Sequence, residues 1–514
     1  MIKLLAALLL TLPLSAWSLT IDVYHTSDVH GWYYSRPAKW DKENSTRTIG
    51  GFPALSALVR ADKNPKLLLD SGDTFQGTPE GTLTKGLATV TMMNHLGYAA
   101  AAVGNHDYDY SEASLREMVK QSNFPWLGAN LYVKESGKAA DYVKPYTVIP
   151  VGGKRIAVIG ILGEHTVTST LPLNVKNLEF RSETAEAARW TKEVREKENP
   201  DAVLILAHNG LGAPPGLADM TAWTPTEAHA SSGTLGIARA SGADVVFGGH
   251  IHASLPSGYR DPVSGALLVE SGSSLTHVSR VTLDFDDKTG KLKATAVQLV
   301  PLWTDQTGED QAAIAKLKVF SAQVEAEMGR KVSESAVDLG KSPDGTDSPI
   351  GNWFADAMRR QSKTDIAFQN TSGIRAELKA GTVTVRDVFQ VMPFENTLVK
   401  LTLTGEQLRR LLADNFPGGF SKLQVSGLKV SVKKPYDDPA NVSLERDGKP
   451  VADGDKFSVA TNNYLTTGGT GGRVFSEDAK AEDTMQPIRE VLMKDISENP
   501  VKALPAGGRI VRLD

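Results

Sequence analysis

Five short stretches gather side chains that bind metal ions or move protons. They are Ser27-Asp28-Val29-His30-Gly31, Ser71-Gly72-Asp73, Gly104-Asn105-His106-Asp107-Tyr108-Asp109, His208-Asn209 and Gly248-Gly249-His250-Ile251-His252. The chain has ten histidines, and five of them stand in these stretches. Imidazole, carboxylate and amide oxygen without thiolate suit Mn, Fe, Zn, Co or Ni better than copper(I) or a calcium cage. About seven ligands are too many for one tetrahedral ion. They suit two ions roughly 3.5–4 Å apart that share a bridging carboxylate, the arrangement of two-metal hydrolases.

Each stretch follows an apolar run: IDVYHT (21–26), KLLLD (66–70), AAAAV (99–103), AVLILA (202–207) and ADVVF (243–247), with RIAVIGI (155–161) as a sixth. Such runs read as strands buried on both faces. Between them, SEASLREMVKQS and ETAEAARWTKEVREKE carry helical periodicity. The alternation predicts an α/β domain with a two-faced central sheet. Ligands of such sheets bind beyond the carboxyl ends of the strands, where the loops converge. Residues 309–331 have few breakers and mixed charge, and predict one long exposed helix that serves as a connector. Beyond it TDIAFQN, TLVKLTLT, LKVSVK and KFSVATNNYL, with the helical SPIGNWFADAMRRQ and EQLRRLLADNF, predict a separate α+β domain.

With 514 residues, 41% hydrophobic and 23% charged, the chain can bury more than one core. Its net charge of −4, without a long basic run, argues against nucleic-acid polymers and anionic membranes as partners. Lys3, the apolar run from Leu4 to Leu12, and the small residues Ala16 and Ser18 predict a signal peptide over 1–18, cleaved near Ser18. That run is too short to span a membrane. With no cysteine, neither a disulfide nor a lipidated N-terminus is available. The expectation is a periplasmic or secreted protein acting on a small molecule. Two lobes joined by a connector would also describe a solute-binding protein, but five ligand-bearing loops argue for an enzyme.

Asp28-x-His30, Gly72-Asp73, Gly104-Asn105-His106-Asp107, His208 and Gly249-His250-Ile251-His252, in that order, resemble the calcineurin-like metallophosphoesterases. Asn370-Thr-Ser-Gly-Ile-Arg375, Pro393-Phe394-Glu-Asn396 and Asn462-Asn-Tyr464-x-x-x-Gly468-Gly469 resemble the C-terminal domain of secreted bacterial 5′-nucleotidases. The resemblance implies a four-layer α/β/β/α domain over 19–305, a linking helix over 306–332 and an α+β substrate-binding domain over 333–514. It implies that Asp28, His30 and His252 hold one divalent ion, that Asn105, His208 and His250 hold another, and that Asp73 bridges both. His106 and Asp109 match the family's catalytic dyad. Asn370, Arg375, Phe394, Asn396 and Tyr464 match its substrate-binding residues, with Arg375 on phosphate, the two aromatic rings around a base and Asn396 on the base edge. The implied activity is hydrolysis of nucleotides, cyclic or sugar nucleotides included in the class. A thiosulfohydrolase acting on a carrier protein shares this plan and is the alternative.

Two positions depart from the nucleotidase pattern. Thr470 stands where an acidic residue is expected to bind ribose, and KSPDGTDSPIG offers only Lys341 where an arginine is expected. The cluster TTGGTGG (466–472) lacks a P-loop lysine and reads as a turn that positions Tyr464.

Overall fold

The computed structural model describes residues 19–211, 231–342, 344–477 and 480–513, so the expected signal peptide lies outside the described residues. The first half contains two six-stranded sheets in place of the one central sheet that the apolar runs suggested. One sheet runs in the order Leu292–Pro301, His277–Phe285, Leu19–Thr26, Lys66–Asp70, Ala100–Ala102, Trp126–Leu127. The other runs Tyr259–Arg260, Leu267–Val269, Val245–Phe247, Ala202–His208, Lys154–Leu162, Tyr146–Val151.

Side-chain alternation explains the stacking. Ala202, Leu204 and Leu206 join Ile21, Val23, Leu67 and Leu69 in a core between the sheets. Val203, Ile205 and Ala207 point the other way and pack beneath Ala187 and Val194 of helix Glu183–Glu198 and Leu235 of helix Gly233–Ser241. On the first sheet Tyr24, Leu68 and Ala101 meet Phe52, Leu55 and Met92 of helices Phe52–Ala61 and Leu87–Leu96. The result is a four-layer α/β/β/α arrangement. Strands Leu19–Thr26, Lys66–Asp70 and Ala100–Ala102 are mutually parallel, as are Lys154–Leu162, Ala202–His208 and Val245–Phe247.

The connector expected as an exposed helix is Gln311–Met328, and it is not exposed all round. Ala313 and Leu317 enter the core of the first half, while Val324 and Met328 pack on Val385 and Phe389 of the second. These residues share one face of the helix, a stripe that its mixed charge obscures in the sequence. Arg386 ties the same region together through Glu80 at 3.0 Å and Glu325 at 2.7 Å.

The second half is α+β. Its five-stranded sheet runs Leu423–Ser426, Ile366–Asn370, Lys456–Asn462, Thr397–Thr404, Glu482–Pro487. Helix Pro349–Ser362 packs Phe354 and Met358 against one face, and helix Gly405–Asp414 packs Leu408 and Leu411 against the other.

Close approach of two loops sets the geometry at the carboxyl ends of the first sheet. Gly72 has φ +97°, and a Cβ there would lie 2.5 Å from the Gly104 nitrogen. Gly72→Ala therefore carries a left-handed backbone cost of about 1–2 kcal/mol and an overpacking cost of about 1–3 kcal/mol. The expected outcome is a lowered thermal midpoint of the metal-free protein. An unchanged midpoint would show that the loops can separate freely.

Candidate metal centre and interdomain cavity

The strand ends of both sheets deliver the candidate ligands to one place. Asp28, His30, Asp73, His250 and His252 all have positive φ, between 48° and 69°. Each such non-glycine residue costs about 1–3 kcal/mol, so the surrounding structure must hold it there. Backbone bonds do part of this: the Asp28 and His30 N–H groups donate to the Gly72 and Asp73 carbonyls at 2.9 and 3.0 Å. The His250 N–H donates to the Asp28 carboxylate at 3.0 Å, joining the two sheets. Asp107 is fully buried and accepts from the N–H groups of Asp73, Thr74 and Gly104 at 3.1, 3.0 and 2.8 Å. It supports the loops and is not a member of either ligand group.

The side chains then form two clusters, Asp28 with His30 and His252, and Asp73 with His208 and His250. The tautomers follow from the outer partners. His30 Nδ1 donates to the Gln76 carbonyl at 2.8 Å, and His208 Nδ1 donates to the Ser71 carbonyl at 2.8 Å. In its neutral, metal-binding form each ring therefore presents its Nε2 lone pair inward. His208 Nε2 faces Asn105 Oδ1 at 3.0 Å and Asp73 Oδ2 at 3.2 Å. Asn105 Nδ2 is committed to the Ser169 carbonyl at 3.0 Å, so its oxygen points in, 3.0 Å from His250 Nδ1. His30 Nε2 and His252 Nε2 are 2.9 Å apart, and Asp73 Oδ2 lies 3.9 Å from His30 Nε2. Carboxylates, imidazole nitrogens and an amide oxygen that converge in a buried site are the donors divalent cations take, and the two clusters, with Asp73 Oδ2 near both, fit two such ions.

The electrostatics agree. Burial opposes a charged His208, but Asp73 and Asp28 outweigh it and push the ring up to about 10, a proton standing where a cation would. Burial pushes Asp28 up to about 7. At His106 burial is outweighed by Asp109 and Asp73, and the ring is raised. Its Nδ1 lies 2.9 Å from Asp109 Oδ2, and the other Asp109 oxygen accepts from the Thr170 hydroxyl at 2.9 Å.

A cavity of about 410 Å³ opens onto the clusters and is lined by both halves of the chain. Asp73, Asn105, His106, Asp109, His250 and His252 contribute from the first half, and Asn370, Arg375, Phe394, Asn396, Tyr464 and Thr470 from the second. Asp28, His30 and His208 lie just behind this wall. The Phe394 ring is 5.6 Å from His106 and 5.8 Å from the Arg375 guanidinium. Arg375 makes no side-chain hydrogen bond among the described residues and faces Asp73, Asp109 and Asp28, while burial lowers its pKa. Asn370 is held by Gln369 and Asn462, and Asn396 Nδ2 donates to Asn463 Oδ1 at 3.0 Å.

The Tyr464 hydroxyl donates to the Thr168 carbonyl, and Gly469 leaves room for its ring, as the turn reading of 466–472 expects. The Thr470 hydroxyl and N–H both donate to that same carbonyl at 3.0 Å. Thr470 is therefore engaged across the two halves rather than waiting for a sugar. Lys341 stands outside the cavity wall, its N–H on Glu377 at 3.3 Å.

Three contributors escaped the reading of the sequence. Gln76 lines the cavity with both amide atoms buried and unpartnered. Tyr110 bridges to Glu395 of the second half at 3.2 Å. His165 stacks on His250. The last is legible in the sequence: it follows RIAVIGI, the sixth apolar run, as the other polar groups follow theirs.

The calcineurin-like phosphoesterase family model matches residues 21–254, and the 5′-nucleotidase C-terminal domain model matches 328–477. The chain is 28% identical, over 96% of its length and 35% of the relative's, to the trifunctional nucleotide phosphoesterase YfkN of Bacillus subtilis. It spans about a third of the length of the first two curated relatives it matches. A solved 5′-nucleotidase precursor from Thermus thermophilus superposes with a TM-score of 0.83 at 27% identity, covering 96% of this chain and 99% of that one. A sulfate thiohydrolase, SoxB, also from Thermus thermophilus, superposes with a TM-score of 0.75 at 18% identity, covering 96% of each chain, a likeness of fold alone. The chain therefore joins a domain of the calcineurin-like phosphoesterase family to a 5′-nucleotidase C-terminal domain, and shares its fold with a solved 5′-nucleotidase precursor.

Proposed function

We propose that this protein is a two-cation phosphoesterase that hydrolyses nucleotides or related phosphate esters in the cavity between its halves. The observation that carries this reading is the convergence of buried acceptors on one wall with Arg375, Phe394 and Tyr464 on the other. Asp28, His30 and His252 would hold one ion, Asn105, His208 and His250 the second, and Asp73 both. Mn, Zn, Co, Fe and Ni all suit these donors. Such ions supply Lewis acidity toward a phosphoryl oxygen and lower the pKa of water.

The chain's own residues do the rest. Arg375, unpaired and aimed at the centre, grips phosphate oxygens with its planar fork of donors. Phe394 and Tyr464 offer faces to a base, each stack worth roughly 1–3 kcal/mol, and Asn396 offers its oxygen to the base edge. His106 Nδ1 is tied to Asp109, which leaves Nε2 to carry a proton to the leaving group or to stabilise the transferring phosphoryl group. The two halves exclude water around these groups. In this reading 19–305 is the catalytic domain, 306–332 the link and 333–514 the substrate domain. No described helix is long and apolar enough to cross a membrane, and residues 1–18 support export to the periplasm or beyond.

Phosphate release from a panel of nucleotides, sugar nucleotides and cyclic nucleotides by the metal-loaded protein tests this reading. Release of sulfate from a thiosulfonate carrier, and of no phosphate from any ester, would replace it. Asp73→Asn is expected to weaken both ions and His30→Ala mainly one, as measured by calorimetric metal titration. Two ions bound at wild-type strength by Asp73→Asn would remove the bridging assignment. His106→Ala is expected to retain both ions and lose about 10²–10⁴ in turnover. Loss of an ion would make His106 a ligand instead.

Because the Thr470 hydroxyl is already donated to Thr168, sugar discrimination is expected to be slight. AMP and deoxy-AMP should differ by no more than about tenfold in kcat/KM, where a site built to bond a hydroxyl reaches about 10⁴ or more. A strong preference for AMP would show that another group reads the ribose.

A further inference from the structure

His165 belongs to neither ligand cluster, yet its ring lies against one of them. It follows strand Lys154–Leu162 at the carboxyl end of the second sheet. Its ring centroid is 3.9 Å from that of His250, with the planes 28° apart. The ring also rests on Gly163, where an added Cβ would overlap it. His165 Nε2 is buried without a hydrogen-bond partner, so polarity does not explain the placement.

His250 and His252 are the two imidazoles of the clusters without an orienting bond outside them among the described residues, and His250 is the one with His165 stacked on it. A metal-binding imidazole is ordinarily fixed by a hydrogen bond from its other nitrogen. His30 has that bond to the Gln76 carbonyl and His208 has it to the Ser71 carbonyl. His250 has only its Nδ1 contact with Asn105 Oδ1, inside the cluster, and no orienting bond outside it among the described residues. Its backbone sits at φ 69°, which fixes the Cα but not the ring.

We propose that His165 is a positioning residue that holds the His250 imidazole by stacking, in place of the missing hydrogen bond. The group of Asp73, Asn105, His208 and His250 is thereby set for its cation before the cation arrives. This rests on the two-cation reading above. The segment carrying His165 is anchored without the ring. The Thr166 N–H donates to the Gly163 carbonyl at 3.0 Å, Asn105 Nδ2 to the Ser169 carbonyl at 3.0 Å, and the Thr170 hydroxyl to Asp109 at 2.9 Å. Removing the ring therefore leaves its surroundings tied.

Cobalt(II) titration of the full metal-free chain, followed by calorimetry and visible absorption, is the test. His165→Ala is expected to weaken one of the two cobalt ions by about 10–100-fold and to alter its absorption band, with the other ion unchanged. His165→Phe, which keeps a stacking ring, is expected to restore wild-type affinity. Gly163→Ala, which displaces the ring without deleting it, is expected to weaken the same ion. Wild-type cobalt binding by His165→Ala overturns the proposal, as does failure of His165→Phe to rescue. Equal weakening of both ions overturns it too, since that marks a general role in folding. Wild-type protein that binds fewer than two cobalt ions overturns the underlying two-cation reading instead.

Discussion

The mutual repulsion of buried acceptors governs this protein. Carboxylates, imidazole lone pairs and an amide oxygen occupy the same few ångströms, with Asp28, Asp73, Asn105 and His208 withdrawn from water. No arrangement of these groups alone satisfies them. Protons relieve part of the conflict, as the raised His208 indicates, and divalent ions relieve it more fully. The rest of the first domain is arranged to keep that unfavourable gathering from relaxing. Two stacked sheets bring six parallel strand ends to one edge, and five left-handed residues turn the ligands inward.

Support around the gathering is as specific as the gathering itself. Asp107 ties the loops that follow strands Lys66–Asp70 and Ala100–Ala102, while Asp28 ties the two sheets through the His250 N–H. Segment 165–170 touches nearly every part: Ser169 orients Asn105, Thr170 orients Asp109, and the Thr168 carbonyl receives Tyr464 and Thr470 from the other half. An aspartate at position 470 would set two acceptors against each other at that carbonyl. The threonine is suited to joining the halves.

The catalytic wall was legible because its residues obey a simple rule: polar groups placed just past apolar runs. That rule located all the candidate ligands and the His106–Asp109 pair. It could not separate Asp107, a supporting acceptor, from Asn105 and His106, because the three side chains differ in direction and not in their place after the strand. The same rule extends to His165, which follows the run RIAVIGI and stacks on His250. The connector misled because charge spaced around a helix hides a narrow apolar stripe, so Ala313, Leu317, Val324 and Met328 read as scattered. The apolar runs by themselves suggest one sheet and the family resemblance implies the two that are present, since a strand buried on both faces looks the same whether helices or a second sheet cover it.

Strand Leu19–Thr26 lies between Lys66–Asp70 on one side and His277–Phe285 on the other, with Asp22 opposite Thr282. The first strand of the domain thus waits for a partner some 260 residues away, as Arg280 and Thr282 reach back to Asp22. Non-local pairing of this kind makes folding slow, because the chain entropy of a long loop is lost before the contact repays it. A ribosome must deliver nearly three hundred residues before the sandwich can close. The candidate ligands, drawn from positions 28 to 252, remain apart for as long, so a metal ion would meet a complete site only at the end of folding. A chain that stays open that long also remains threadable, the state in which a polypeptide passes through a narrow translocation channel.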